Sequence, residues 1–182
     1  MRKVALALAC VCMLSMPLLA ATLADVTLPD TITVNNQTLV LNGLGLRSKM
    51  FIKVYVGGLY IEKKTTDAAA IIQADTPKRV VLQFLYEPSR EQMVDAFKEG
   101  FDGNAPGKFK TEVEKWLAAQ EGFKKGDQLV TTYVPGTGTT LTIRGKDKLT
   151  IPGLPFAQAV FSVWFGPKPP TSDLKNGMLG KK

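Results

Sequence analysis

Apolar positions along the chain recur with two different periods, and the switches between them lay out the predicted elements. From Val26 to Val34 they alternate loosely, with Pro29 and Asp30 breaking the run, which predicts an edge strand. Asn35-Asn36 reads as a turn, Thr38 to Leu41 as a second strand, and Asn42-Gly43 as a hairpin-type turn. A β-branched, aromatic and apolar segment then continues to Ile61 and predicts one long strand. Lys78 to Leu85, Gln128 to Val134, Thr139 to Arg144 and Lys148 to Ile151 add further strands. The last three are separated by the turns Pro135-Gly136-Thr137-Gly138 and Gly145-Lys146-Asp147.

Helical spacing appears elsewhere. Thr65 to Ala74 is short and alanine-rich, with Thr65 or Thr66 as the expected N-cap. Pro88-Ser89 opens a longer helix in which Ser89 and Gln92 form a capping box. Met93, Ala96, Phe97 and Phe101 lie on one face of it, and Gly103 to Gly107 ends it. A second amphipathic helix runs from about Lys108 to Gln120, with Phe109, Val113, Trp116 and Leu117 inward. Phe156 to Phe165 is apolar nearly all round, so it predicts a buried helix, and a last short helix starts at Thr171-Ser172-Asp173. Strands in a meander with helices grouped on one face give an α+β fold, an antiparallel sheet covered on one side.

The beginning of the chain changes the picture. Met1-Arg2-Lys3 is a short positive start, Val4 to Leu19 is almost wholly apolar, and small residues follow to Ala24. That is the layout of a signal peptide over residues 1–24, leaving residues 25–182 as one domain. An uncleaved anchor and a lipoprotein built on Cys10 or Cys12 are the alternatives. Both cysteines fall in the leader, so a cleaved chain has no thiol chemistry and no disulfide, which suits a bacterial periplasm. No stable membrane span is expected after cleavage. The formal charge is +7, and its lysines are dispersed among acids. A solvated basic surface, not a nucleic-acid footprint, is the expectation.

The chain has no histidine, which excludes a Ser-His-Asp triad, a histidine base and a histidine metal site. Its acids are scattered and form no glycosidase-like pair. Gly136-Thr137-Gly138 lacks the lysine arrangement of a P-loop. No cofactor is implied. What remains is apolar volume with two polar anchors, Arg47 and Tyr55. A guanidinium offers a planar fork to a carboxylate, and a phenol adds one more donor. The competing reading puts Arg47 at a strand end in solvent and Tyr55 in the core. On one straight strand the two backbones would stand about 26 Å apart, at ~3.3 Å per residue. They can share a ligand only if the chain bends sharply or reverses near Ser48-Lys49. On a continuous strand Arg47, Lys49, Phe51, Lys53 and Tyr55 share one face, and Met50, Ile52, Val54 and Val56 the other, drier one.

Several strings in order resemble the chalcone isomerase family, in its bacterial chalcone-isomerase-like branch. They are Leu28-Pro29-Asp30-Thr31, Asn42-Gly43-Leu44-Gly45-Leu46-Arg47, and Lys53-Val54-Tyr55-Val56-Gly57-Gly58-Leu59-Tyr60-Ile61-Glu62. Ile151-Pro152-Gly153, the helix to Trp164-Phe165-Gly166, and Asp173-Leu174-Lys175 complete the set. The resemblance implies an open-faced β-sandwich with the ligand between sheet and helices. It also implies two kinds of relative: plant enzymes that cyclise a chalcone with help from an arginine, and members that bind fatty acids. The enzyme arginine corresponds to Arg47. The strand threonine corresponds to Tyr55, where the fatty-acid-binding branch has a tyrosine. The enzymes' other polar positions fall near Ser89, Ala96 and Val163. One of five catalytic positions is therefore kept.

The expectation is an exported protein that binds a small amphipathic carboxylic acid, such as a fatty acid, through Arg47 and Tyr55 without catalysis. An isomerase or intramolecular lyase using Arg47, and a cell-envelope protein-interaction module, are the alternatives. The sequence leaves the ligand's identity and the oligomeric state open.

Overall fold

The computed structural model describes residues 20–181. The leader reading over residues 1–19 therefore lies outside the described residues. In chain order the described elements are β1 (Ala20–Leu23), β2 (Val26–Pro29), β3 (Thr31–Val34), β4 (Gln37–Lys49), β5 (Ile52–Ile61), α1 (Ala68–Gln73) and β6 (Lys78–Phe84). They continue with α2 (Arg90–Asn104), α3 (Lys110–Ala118), β7 (Gln128–Val134), β8 (Gly138–Ile143), β9 (Lys146–Ile151), α4 (Leu154–Phe165) and α5 (Ser172–Met178).

Strands β3 to β9 form one seven-stranded antiparallel sheet in sequence order, and β1 and β2 pair as a separate ribbon. Helix α4 is the centre of the covering layer. Phe156, Val160, Phe161, Val163, Trp164 and Phe165 are all buried, because an all-apolar helix has to lie between the sheet and the other helices. Its core includes Tyr55, Leu59, Val80, Leu82, Phe84, Leu129 and Leu141 from the sheet. The expected α+β architecture is thus present, with one addition. The opposite face of the sheet is not bare at the β3–β5 end, where Val26 and Leu28 of the ribbon pack on Leu39, Leu41, Val56 and Tyr60.

Four details differ from the pattern reading. The apparent long strand is two strands, β4 and β5, which pair with each other and reverse at Met50-Phe51. Asn42-Gly43 is no turn: β4 runs straight through it, with an irregularity in pairing between Leu41 and Gly43. The Asn42 side chain explains this, since Nδ2 donates to the Met178 carbonyl at 2.9 Å and Oδ1 accepts from the Thr65 amide at 2.9 Å. Finally, Val26 to Val34 is two strands, and α1 is capped by Asp67 in place of a threonine, its carboxylate accepting from the Ala69 and Ala70 amides. The capping box at Ser89 and Gln92 is present as read.

Buried polar groups, Lys78 and Tyr60 among them, give the fold a signed pH dependence. Lys78 is buried, with Nζ donating to the carbonyls of Ile71, Ile72 and Ala74 at the end of α1. Burial pulls it down to about 8, opposed by Asp75. Burial pushes the Tyr60 phenol up to about 12, helped by the nearby Asp30 charge. A lysine depressed on folding is released of its cost as pH rises from about 8 to 10.5, so stability climbs there. A tyrosine raised on folding contributes stability that is complete below pH 10 and is lost as pH rises through about 12. Chemical denaturation should therefore show stability rising from pH 8 towards 10 and falling beyond it. The Tyr55 and Tyr133 phenols, also pushed up to about 12 by burial, act in the same direction, so Tyr60→Phe should remove part of the fall. A monotonic decline from pH 8 would contradict this assignment.

Candidate functional site

The β4–β5 hairpin carries both anchor residues. In the register of the pair, Arg47 stands directly opposite Tyr55, so the two side chains share one face of the sheet. Two irregularities set which face that is. The break at Asn42 shifts β4 so that Gly43 and Gly45 turn toward α5, while Leu44 and Leu46 pack on the ribbon side. Arg47 follows Gly45 in alternation and so faces the helices. On β5 the pairing slips between Ser48–Lys53 and Arg47–Tyr55, leaving Val54 as the extra residue. Lys53 remains exposed, while Val54 and Tyr55 both join the core under the helices. The face expected to be wetter is therefore the one roofed by α2 and α4.

A cavity of about 770 Å³ opens at this point. It lies within the roughly 300–1,000 Å³ typical of small-ligand sites. Its polar end holds Arg47, Ser48 and Tyr55. Its apolar wall is Leu82 from β6, Met93 and Phe97 from α2, and Val163 and Trp164 from α4. Phe97 and Trp164 meet edge to face at 6.0 Å, and Tyr55 meets Phe84 in the same way at 5.7 Å. These contacts fix the wall in place without filling the space. The rim is the segment Lys168-Pro169-Pro170 with Asp95, Lys98, Glu99 and Asp102 of α2. Asn104 fastens that segment to α2: its Oδ1 accepts from the Lys168 amide and its Nδ2 donates to the Lys168 carbonyl, each at 2.9 Å.

The electrostatics at the polar end are unbalanced. Arg47 forms no salt bridge among the described residues, and its Nε is buried without a hydrogen-bond partner. Its guanidinium carbon sits 5.6 Å from the centre of the Tyr55 ring, a cation–π contact that orients it without satisfying its donors. Burial pushes the Tyr55 phenol up to about 12, offset in part by the Arg47 charge and the Trp164 indole. The phenol is thus a donor at any ordinary pH. Two donors, one of them a fixed cation, facing a partly apolar chamber can hold an anionic head with a greasy body. Among the described residues no group of His, Cys, Asp or Glu is placed to hold a metal ion.

The other positions singled out by sequence fall as follows. Ala96 and Val163 line the cavity and offer it no polar atom. Ser89 does not line it. Its hydroxyl is used at the start of α2, accepting from the Gln92 amide and donating to Glu91. Met93, Phe97 and Trp164 were legible only as buried helical faces, and nothing in their spacing said that the space beside them is open.

Residues 20–180 match the chalcone isomerase-like family. The chain belongs to that family. The resemblance read from the sequence strings is thereby borne out. This chalcone isomerase-like protein is also similar to the crystal structure of a fatty-acid binding protein from Arabidopsis thaliana. The identity is 13% and the TM-score 0.69, and the match covers 88% of this chain and 95% of that one. At that identity the likeness establishes the shared fold. No curated protein sequence matches the chain.

Proposed function

We propose that this chalcone isomerase-like protein binds a small amphipathic carboxylic acid, of the fatty-acid kind, with its carboxylate on Arg47 and Tyr55 and its chain along Met93, Phe97 and Trp164. The supporting observation is an Arg47 guanidinium with no salt bridge among the described residues, opposite a protonated phenol at the polar end of a partly apolar cavity. A buried donor without a protein partner is costly, and a carboxylate at this position would supply the acceptor. The fatty-acid binding protein of the same fold adds support. Mass spectrometry of ligand released from natively purified protein should find a long-chain acid. Consistently empty protein that also ignores dodecanoate would overturn the reading. Ala96→Trp should fill the apolar end and weaken dodecanoate at least tenfold without touching the polar one.

Binding without turnover is part of the same reading. The side chains at the cavity positions matching the enzymes' helix residues are Ala96 and Val163, which cannot hold a substrate hydroxyl or a water. Turnover of a chalcone, abolished by Arg47→Ala, would favour an isomerase instead.

Export to the periplasm, with a leader removed near Ala24, completes the proposal. Such cleavage would take β1 with the leader, leaving β2 to hold by its buried Val26 and Leu28. The intact mass of the secreted protein tests this, and a mature chain beginning well before Ala20 would contradict it.

A further inference from the structure

The tip of the β4–β5 hairpin is built against the usual rules for such turns. A two-residue hairpin loop favours Asn, Asp or Gly, because its first residue takes a positive φ. Here the loop is Met50-Phe51, with Met50 at φ 55°. Both side chains stand in solvent, Met50 at 89% exposure and Phe51 fully, with Ile52 at 48% behind them. The only other large apolar residue so exposed among the described residues is Tyr86, at 40%. It belongs to the same end of the molecule, since its amide donates to the Val54 carbonyl at 3.2 Å. Folding does not explain this concentration, for these side chains contribute nothing to the core.

Charge narrows the partner. From Thr31 to Ile61 there is no carboxylate, and the three cations in that span, Arg47, Lys49 and Lys53, all lie within four residues of the tip. Lys49 and Lys53 are exposed and flank the apolar triplet. A narrow apolar point with a collar of lysines is the form that enters a lipid interface, with the long amines reaching the phosphates. A stable protein interface needs about 1,000 Å² or more of complementary surface, which a single turn does not present. We propose that the β4–β5 hairpin docks on an anionic bilayer, Met50, Phe51 and Ile52 entering the interfacial layer and Lys49 and Lys53 meeting lipid phosphates. Ser48 and Lys49 also line the cavity, so docking would set its mouth at the lipid surface. The docking itself stands whatever the cavity holds.

The test is flotation of the purified protein with vesicles of equal parts phosphatidylglycerol and phosphatidylcholine, and with phosphatidylcholine alone. The protein should float with the anionic vesicles. Met50→Ser combined with Phe51→Ser should weaken this about tenfold or more, and Lys49→Glu combined with Lys53→Glu should remove the preference for anionic lipid. These side chains are exposed, so the variants keep the fold, and an unchanged melting temperature serves as the check. The indole introduced by Phe51→Trp should be quenched by brominated acyl chains, which a loosely adsorbed basic protein would not show. Failure to float, flotation unchanged in the serine variant, or an unquenched indole would overturn the proposal. So would a concentration-dependent dimer that the serine variant loses, since it would make a second copy the occupant.

Discussion

Replacing Arg47 by leucine should weaken dodecanoate binding by about ten- to a hundredfold while leaving the ligand-free protein at least as stable as before. Hydrogen bonds to a charged group contribute roughly 1.5–3 kcal/mol, and about 1.4 kcal/mol is a factor of ten in affinity. The stability side of the expectation follows from the arginine's lack of protein partners. Among the described residues Arg47 has no ion pair and a buried, unpartnered Nε, so its removal relieves a desolvation cost of about 1–3 kcal/mol. The cation–π contact with Tyr55 that is lost contributes only about 0.5–1 kcal/mol. Dodecanol, which has no charge to lose, should bind the variant as well as it binds the parent. Tyr55→Phe should cost a smaller factor, about five, because it removes one neutral donor and keeps the ring on Phe84. Calorimetry with both ligands and a melting curve separate the outcomes. A marked fall in melting temperature for Arg47→Leu would make the arginine a structural brace of the hairpin.

Gly45→Ala should destabilise the protein by about 3 kcal/mol, lowering its melting temperature by roughly 10 °C. Helix α5 crosses β4 so closely that a Cβ on Gly45 would meet the Leu174 carbonyl oxygen at 2.1 Å, with the Leu174 carbonyl carbon and Cα also under 3.0 Å. All three are backbone atoms, so no rotamer change relieves the clash. Helix α5 must shift, and with it Leu174 and Met178, both fully buried. Gly103→Ala is the control. A Cβ there meets only the flexible Lys168 side chain, at 3.4 Å, and alanine is the better helix former in α2 by about 1 kcal/mol. Thermal denaturation should move the two variants in opposite directions. Equal, small shifts would mean that α5 does not pack on β4 as described.

The same glycines show where the sequence was legible and where it was not. The meander, the Ser89 capping box and the all-apolar α4 rest on local periodicity and local side-chain chemistry, and these survive in the fold because nothing distant competes with them. Asn42-Gly43 was misread because its cause is not local. Asn42 serves Met178, 136 residues away, and Gly43 makes room for the backbone of Gly177. The hairpin tip was missed for the converse reason: Met50-Phe51 lacks the residues that turns favour. Arg47 and Tyr55 were readable as residue types suited to an acid. Their meeting depends on a reversal and on two pairing irregularities, each of which flips side chains between faces without changing composition. A period-two reading counts straight through such irregularities.

The most direct test is to bind dodecanoate labelled with ¹³C at its carboxyl and follow that carbon by NMR as the pH is lowered. A carboxylate held between the Arg47 guanidinium and the Tyr55 phenol stays ionised well below its free value, and Arg47→Leu returns it to that value. A bound carboxyl that titrates as it does in water, and does so equally in both proteins, would show that the acid head does not sit at this site.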